Sequence, residues 1–84
     1  MDPNELKKRT KQFGLRVIHL VEVLPNQPSA NVIGRQLLRS GTSVGANYRA
    51  ACRAQSKADF ASKVSIAIEE ADESLYWMEL LIEA

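Results

Sequence analysis

The chain has one cysteine, Cys52, and one histidine, His19, in 84 residues. A single cysteine excludes an intrachain disulfide and suits a reducing compartment, so a cytoplasmic setting is expected. One cysteine and one histidine also exclude a multi-ligand zinc site of the usual kind built from this chain alone. No apolar run approaches the roughly 18 residues that a transmembrane helix needs. The charged start, Met1 to Lys11, lacks the apolar stretch of a signal peptide. Low hydrophobicity is absent too: at 45% hydrophobic and 25% charged residues the composition excludes intrinsic disorder. A chain of this mass exposes about 5,000 Å² when folded against roughly 13,500 Å² when extended. It has room for one thin core and one domain, residues 1–84.

The net charge of +1 hides an asymmetry. Residues 1–54 carry nine basic side chains against Asp2, Glu5 and Glu22, a balance of +6, and residues 55–84 carry Lys57 and Lys63 against seven carboxylates, a balance of −5. Such a chain pairs its halves internally, pairs them between subunits, or offers one face to a polyanion.

Hydrophobic spacing predicts three helices, over about 4–24, 30–54 and 57–83. Pro3 and Asn4 open the first, and Leu6, Phe13, Val17, Leu20, Val21 and Leu24 recur at three and four residues. Pro25-Asn26-Gln27-Pro28 stops it, because proline lacks an N–H and restricts the residue before it. Ser29 is the expected cap of the second helix. Gly34, Gly41 and Gly45 fall within about 40° of one another at 100° per residue, with Cys52 on the same line, which favours a continuous helix with a close-approach seam, kinked if anywhere at Ser40-Gly41. Ser56, with Asp59 three residues on, caps the third helix. Its stripe comprises Phe60, Val64, Ala67, Ile68, Ala71, Leu75, Met78 and Ile82. From Leu75 onward apolar residues surround the helix, so it must be buried on more than one side, and two amphipathic partners are too few to cover it. A further helix or neighbouring subunits are expected there.

No catalytic constellation emerges. The stretch Ser40 to Gly45 only superficially resembles a phosphate loop, since it lacks the Gly-Lys-Ser/Thr ending and no strand precedes it. His19 reads as an exposed or hydrogen-bonded residue and Cys52 as a small packed hydrophobe. Glu69-Glu70 and Asp72-Glu73 lack the Glu-x-x-His of a helix-bundle metal site and read as a solvated or ion-paired face. No metal, cofactor or enzymatic activity is expected.

The arginines carry more. On a continuous second helix Arg35, Arg39, Arg49 and Arg53 lie within about 40° of one line, a stripe about 30 Å long. Lys7, Lys8, Arg9 and Lys11 add a basic cluster on the first helix. These eight are the candidate contacts to an RNA or DNA backbone, which needs only spaced cations. The alternative is a face that answers the acidic third helix. Gly41, Gly45, Tyr76, Trp77 and Leu81 are the candidate helix-packing and oligomer contacts.

Two long stretches carry a resemblance. The first runs from Ile33-Gly34-Arg35-Gln36-Leu37-Leu38-Arg39-Ser40-Gly41 through Thr42-Ser43-Val44-Gly45-Ala46-Asn47-Tyr48-Arg49 to Ala50-Ala51. The second joins Asp59-Phe60, Lys63 to Ala67, Glu69 to Glu73 and Leu75-Tyr76-Trp77-Met78-Glu79-Leu80-Leu81. Together they resemble the signatures of the bacterial four-helix-bundle family associated with 23S ribosomal RNA intervening sequences, itself related to the accessory variability protein of diversity-generating retroelements. The resemblance implies an all-α, antiparallel up-and-down bundle that assembles as a ring-like homopentamer and has no established enzyme activity. In the retroelement relatives a basic surface engages nucleic acid and the reverse transcriptase. This sequence ends where the third helix ends, so three long helices of the four are expected. The reading is a non-enzymatic, oligomeric scaffold, without a membrane role, whose basic surface binds RNA or DNA. Its alternative is a structural self-assembly protein whose arginines form ion pairs.

Overall fold

A computed structural model describes residues 2–84 and contains three α-helices: α1 (Pro3–Glu22), α2 (Pro28–Ala51) and α3 (Lys57–Glu83). Their ends follow from capping chemistry. Asp2 Oδ1 accepts from the Glu5 N–H at 2.9 Å and Pro3 follows at the first helical position, where its missing N–H costs nothing. Ser56 Oγ accepts from the Asp59 N–H at 3.0 Å and opens α3. For α2 the expected cap is corrected. Gln27 is the capping residue and makes no side-chain cap bond, Pro28 takes the first position, and Ser29 lies inside the helix. Proline's preset φ starts the helix without a side-chain acceptor.

Two C-terminal ends fall short of the hydrophobic pattern. α1 stops at Glu22, where Val23 and Leu24 donate to Leu20 and Val21, three residues back, ahead of Pro25. α2 stops at Ala51 because the Arg53 and Ala54 N–H groups likewise turn to carbonyls three residues back, Ala50 and Ala51, tightening the last turn. Arg53 therefore lies beyond the helix. Ser40-Gly41 is uninterrupted helix, and so is the whole stretch that superficially resembles a phosphate loop.

The helices form an antiparallel bundle with α2 in the middle. α2 packs on both α1 and α3, while the backbones of α1 and α3 stay apart. The two flanks of α2 are built differently. Against α1 the glycines permit close approach: a Cβ on Gly41 would stand 2.8 Å from both Val17 methyl carbons, and one on Gly45 would stand 3.3 Å from the Thr10 carbonyl. Along this seam Gly34 meets Val21 and Leu24, Gly41 meets Val17, and Gly45 meets Thr10, so rising numbers in α2 match falling numbers in α1.

Against α3 the contact is polar at its centre. Ser40 and Ser74 are both fully buried, and their Oγ atoms lie 2.9 Å apart. Ser74 Oγ is also 2.8 Å from the Glu70 carbonyl and Ser40 Oγ 3.3 Å from the Leu37 carbonyl, so this hydroxyl pair satisfies itself through helix carbonyls.

The expected inward stripe of α3 is corrected. Of its eight residues only Ala67 is buried, and Phe60, Ile68, Ala71, Leu75 and Ile82 are exposed. The helix turns its small residues, Ala67 and Ser74, toward α2, because these allow the closest approach. The large aliphatic residues are left on its flank. Val17, Ala30, Leu37, Val44, Tyr48 and Ala51 complete the core.

Candidate nucleic-acid interface

On one side of the α1/α2 seam lies a groove of about 640 Å³. Its floor is Gly14, Leu15 and Ile18 of α1 with Gly45 and Ala46 of α2, so the glycines that bring the helices together also hollow the surface above them. Its rims are cationic. Lys7, Lys8 and Lys11 project from three positions within one turn and a half of α1, and Arg49 and Arg53 stand across the groove. No carboxylate lines it. Among the described residues none of these five cations is in an ion pair. Thr10 and Thr42 also line the groove, with both hydroxyls donated to carbonyls of their own helices, Thr10 to Leu6 at 2.9 Å and Thr42 to Leu38 at 2.7 Å.

The structure therefore brings together five of the eight candidate contacts and separates the other three. Arg9 faces away from the groove and pairs with Glu5 at 3.1 Å, one turn back. Arg35 is exposed further along α2, outside the groove. Arg39 is committed elsewhere. One nitrogen donates to Glu70 Oε2 at 2.8 Å, the other to Glu73 Oε2, and the same Glu73 oxygen accepts from Trp77 Nε1 at 3.2 Å. Desolvation lowers the affinity of the Arg39 guanidinium for its proton, but the hydrogen bonds and charges of Glu70 and Glu73 outweigh it and hold the group above its ordinary value. Arg39 thus ties α2 to α3, as the alternative reading expects of the arginines in general.

Of the packing candidates, Gly41 is buried against Val17 and Gly45 lies against Thr10, both within one chain. Trp77 and Leu81 are half-buried, while Tyr76 is exposed with its ring edge-on to Trp77 at 5.2 Å. The sequence reading missed the Ser40–Ser74 pair. Its one available signal was that Ser74 sits on the same helical line as Ala67, two turns away.

A second groove, of about 180 Å³, lies on the other side of α1, between α1 and α3 and above α2. Leu6, Val44, Tyr48, Val64 and Ile68 line it, and it has no charged lining residue. Burial, with the Cys52 thiol alongside, pushes the Tyr48 phenol above its ordinary pKa. Among the described residues no helix is long and apolar enough to cross a membrane.

The sequence profile of the 23S rRNA-intervening sequence protein family matches residues 3–84. No match was found among curated proteins. Among solved structures, the fold is similar to the 1.70 Å crystal structure of a protein of unknown function from the S23 ribosomal protein family of Bacteroides thetaiotaomicron VPI-5482. The two share 47% identity with a TM-score of 0.90, over 99% of this chain and 74% of that one.

Proposed function

We propose that this chain, which belongs to the 23S rRNA-intervening sequence protein family, is a non-enzymatic helical scaffold. On this reading it holds the phosphate backbone of RNA or DNA in the groove between α1 and α2, and works as a cytoplasmic homo-oligomer that presents several such grooves at once. The observation that carries the reading is the charge of the groove: five cations from two chain segments, with no carboxylate on its lining. Cations without an internal partner are available to phosphates, and each contact releases a condensed counterion. The floor is aliphatic and glycine-rich, and the two threonines have already donated their hydroxyls. Such a surface positions a backbone and does not read base edges. Repetition of the groove in an oligomer raises a weak single-site affinity by avidity.

The second reading, arginines serving only the protein's own structure, is favoured at Arg39 by its bonds to Glu70 and Glu73. Fluorescence anisotropy with a labelled single-stranded RNA and a DNA duplex of unrelated sequence, at about 50 mM salt, tests the reading. Lys11→Glu and Arg49→Glu are each expected to weaken both complexes by roughly tenfold or more, by similar factors. No binding of either ligand by a protein of native helicity would overturn it.

A further inference from the structure

We infer that the α1/α2 groove takes an unpaired strand of RNA or DNA in preference to a duplex, with phosphates between its cations and base faces on its aliphatic floor. The inference rests on the nucleic-acid part of the reading above and deepens it. The groove is not uniform along its length. Gly45 lies against Thr10 and Gly14 against Thr42, which fixes the antiparallel register. In that register Lys7 and Lys8 come level with Arg49, and Arg53 lies a turn further out, so the cations gather where α1 begins and α2 ends. Past Lys11, among the described residues, the lining carries no charge: it is Gly14, Leu15 and Ile18 on α1 and Thr42 on α2. The Thr42 hydroxyl is already donated to the Leu38 carbonyl, and Leu15 is 40% exposed. From Lys11 to Ile18 this uncharged stretch is about 10 Å long.

Phosphates have no use for that stretch, because an aliphatic floor gives an anion neither charge nor hydrogen bonds. A nucleobase does use it. Its faces are apolar and its edges polar, so it lies on Leu15 and Ile18 without needing a hydrogen bond from the floor. The stretch has room for two or three nucleotides at about 3.4 Å a step. A duplex cannot make this contact, since pairing and stacking hide its base faces inside. It is also too wide: helices packed through glycine lie about 8 Å apart, and a duplex straddles the channel between them where a single strand enters it. Charge alone predicts the opposite order. A duplex releases about 0.9 counterion per phosphate contact against about 0.7 for a single strand, so a groove that used only its cations would hold the duplex at least as tightly. The uncharged half of the groove reverses that order. Because it meets base faces and not edges, the preference does not depend on sequence.

Fluorescence anisotropy at about 50 mM salt tests the inference with labelled probes of equal length: an oligothymidylate, an abasic strand of sugar and phosphate only, and a DNA duplex. The oligothymidylate is expected to bind on the order of tenfold more tightly than the abasic strand or the duplex. Leu15→Gln places another good helix former at an exposed position, and is expected to remove most of that ratio. An abasic strand or a duplex bound as tightly as the oligothymidylate would overturn the inference and leave the nucleic-acid reading standing. A ratio that survives Leu15→Gln in a protein of native helicity, followed by circular dichroism, would also overturn it, since the bases would then lie elsewhere. Binding of none of the probes would overturn the inference together with the nucleic-acid reading.

Discussion

α2 meets its two neighbours by opposite means. Toward α1 it removes side chains: Gly34, Gly41 and Gly45 bring the backbones together, and specificity comes from the atoms already in the space a Cβ would need. Toward α3 it adds polar bonds: the buried Ser40–Ser74 pair at the centre, and Arg39 on Glu70 and Glu73 at the edge. The first flank is specified by volume and the second by hydrogen-bond partners. The difference also decides which surfaces remain. A glycine seam leaves a hollow beside it, rimmed with cations that form no ion pair among the described residues. A polar seam that holds α3 by its small residues leaves the aliphatic ones outside.

The comparison breaks most visibly at Gly45. A leucine there must displace the Thr10 backbone, 3.3 Å from the new Cβ, and is expected to destabilise the protein by about 3 kcal/mol. Chemical denaturation of Gly45→Leu checks this, and an unchanged midpoint would mean that the seam is not volume-limited. On the other flank, Ser74→Ala leaves Ser40 in a dry site with one partner lost, at a cost of about 1–2 kcal/mol. The Ser40→Ala and Ser74→Ala double variant should be less destabilised than the two single effects added together, because no buried hydroxyl is then left behind. A purely additive cycle would deny the pair its role.

Gly14 sharpens the contrast within the α1 flank. Its nearest atoms would be 3.8 and 3.9 Å from an added Cβ, an ordinary contact, so Gly14→Ala should stabilise α1 by about 0.5–1 kcal/mol. The smallest effect belongs to Tyr48, on the floor between the flanks. Its folded-state pKa is raised, so the unfolded chain loses the phenolic proton first. Stability from this group is whole below the unfolded value of about 10 and is lost as the pH climbs through the folded one. Thermal melts from pH 8 to 11 should fall only at the alkaline end, and Tyr48→Phe should remove that part of the fall.

The three helices and the glycine seam were legible because they depend on short-range periodicity within each helix. So was the Ser56 cap, where Ser56 and Asp59 stand at the spacing a capping bond needs. The rotation of α3 was not legible. Large apolar residues suggested its inward face, but close approach to α2 selected Ala67 and Ser74. The fate of the arginines was half legible. Arg35, Arg39, Arg49 and Arg53 fall on one helical line in sequence, but that line crosses three environments. α3 captures Arg39, α1 supplies the facing rim for Arg49 and Arg53, and Arg35 lies outside the groove. Those outcomes depend on contacts more than 30 residues apart in the chain, such as Arg39 with Glu70, and helical periodicity carries no information about them.

The most direct measurement is the salt dependence of nucleic-acid binding by wild type, Arg49→Ala and Arg35→Ala. Five groove cations predict a slope of log affinity against log salt of about −3.5 to −4.5 per engaged subunit, from about 0.7 per phosphate on single strands and 0.9 on duplex. Arg49→Ala should make that slope shallower by about one contact, and Arg35→Ala should leave it unchanged. Equal losses at both positions, or a slope near zero, would contradict the assignment of the interface to the α1/α2 groove.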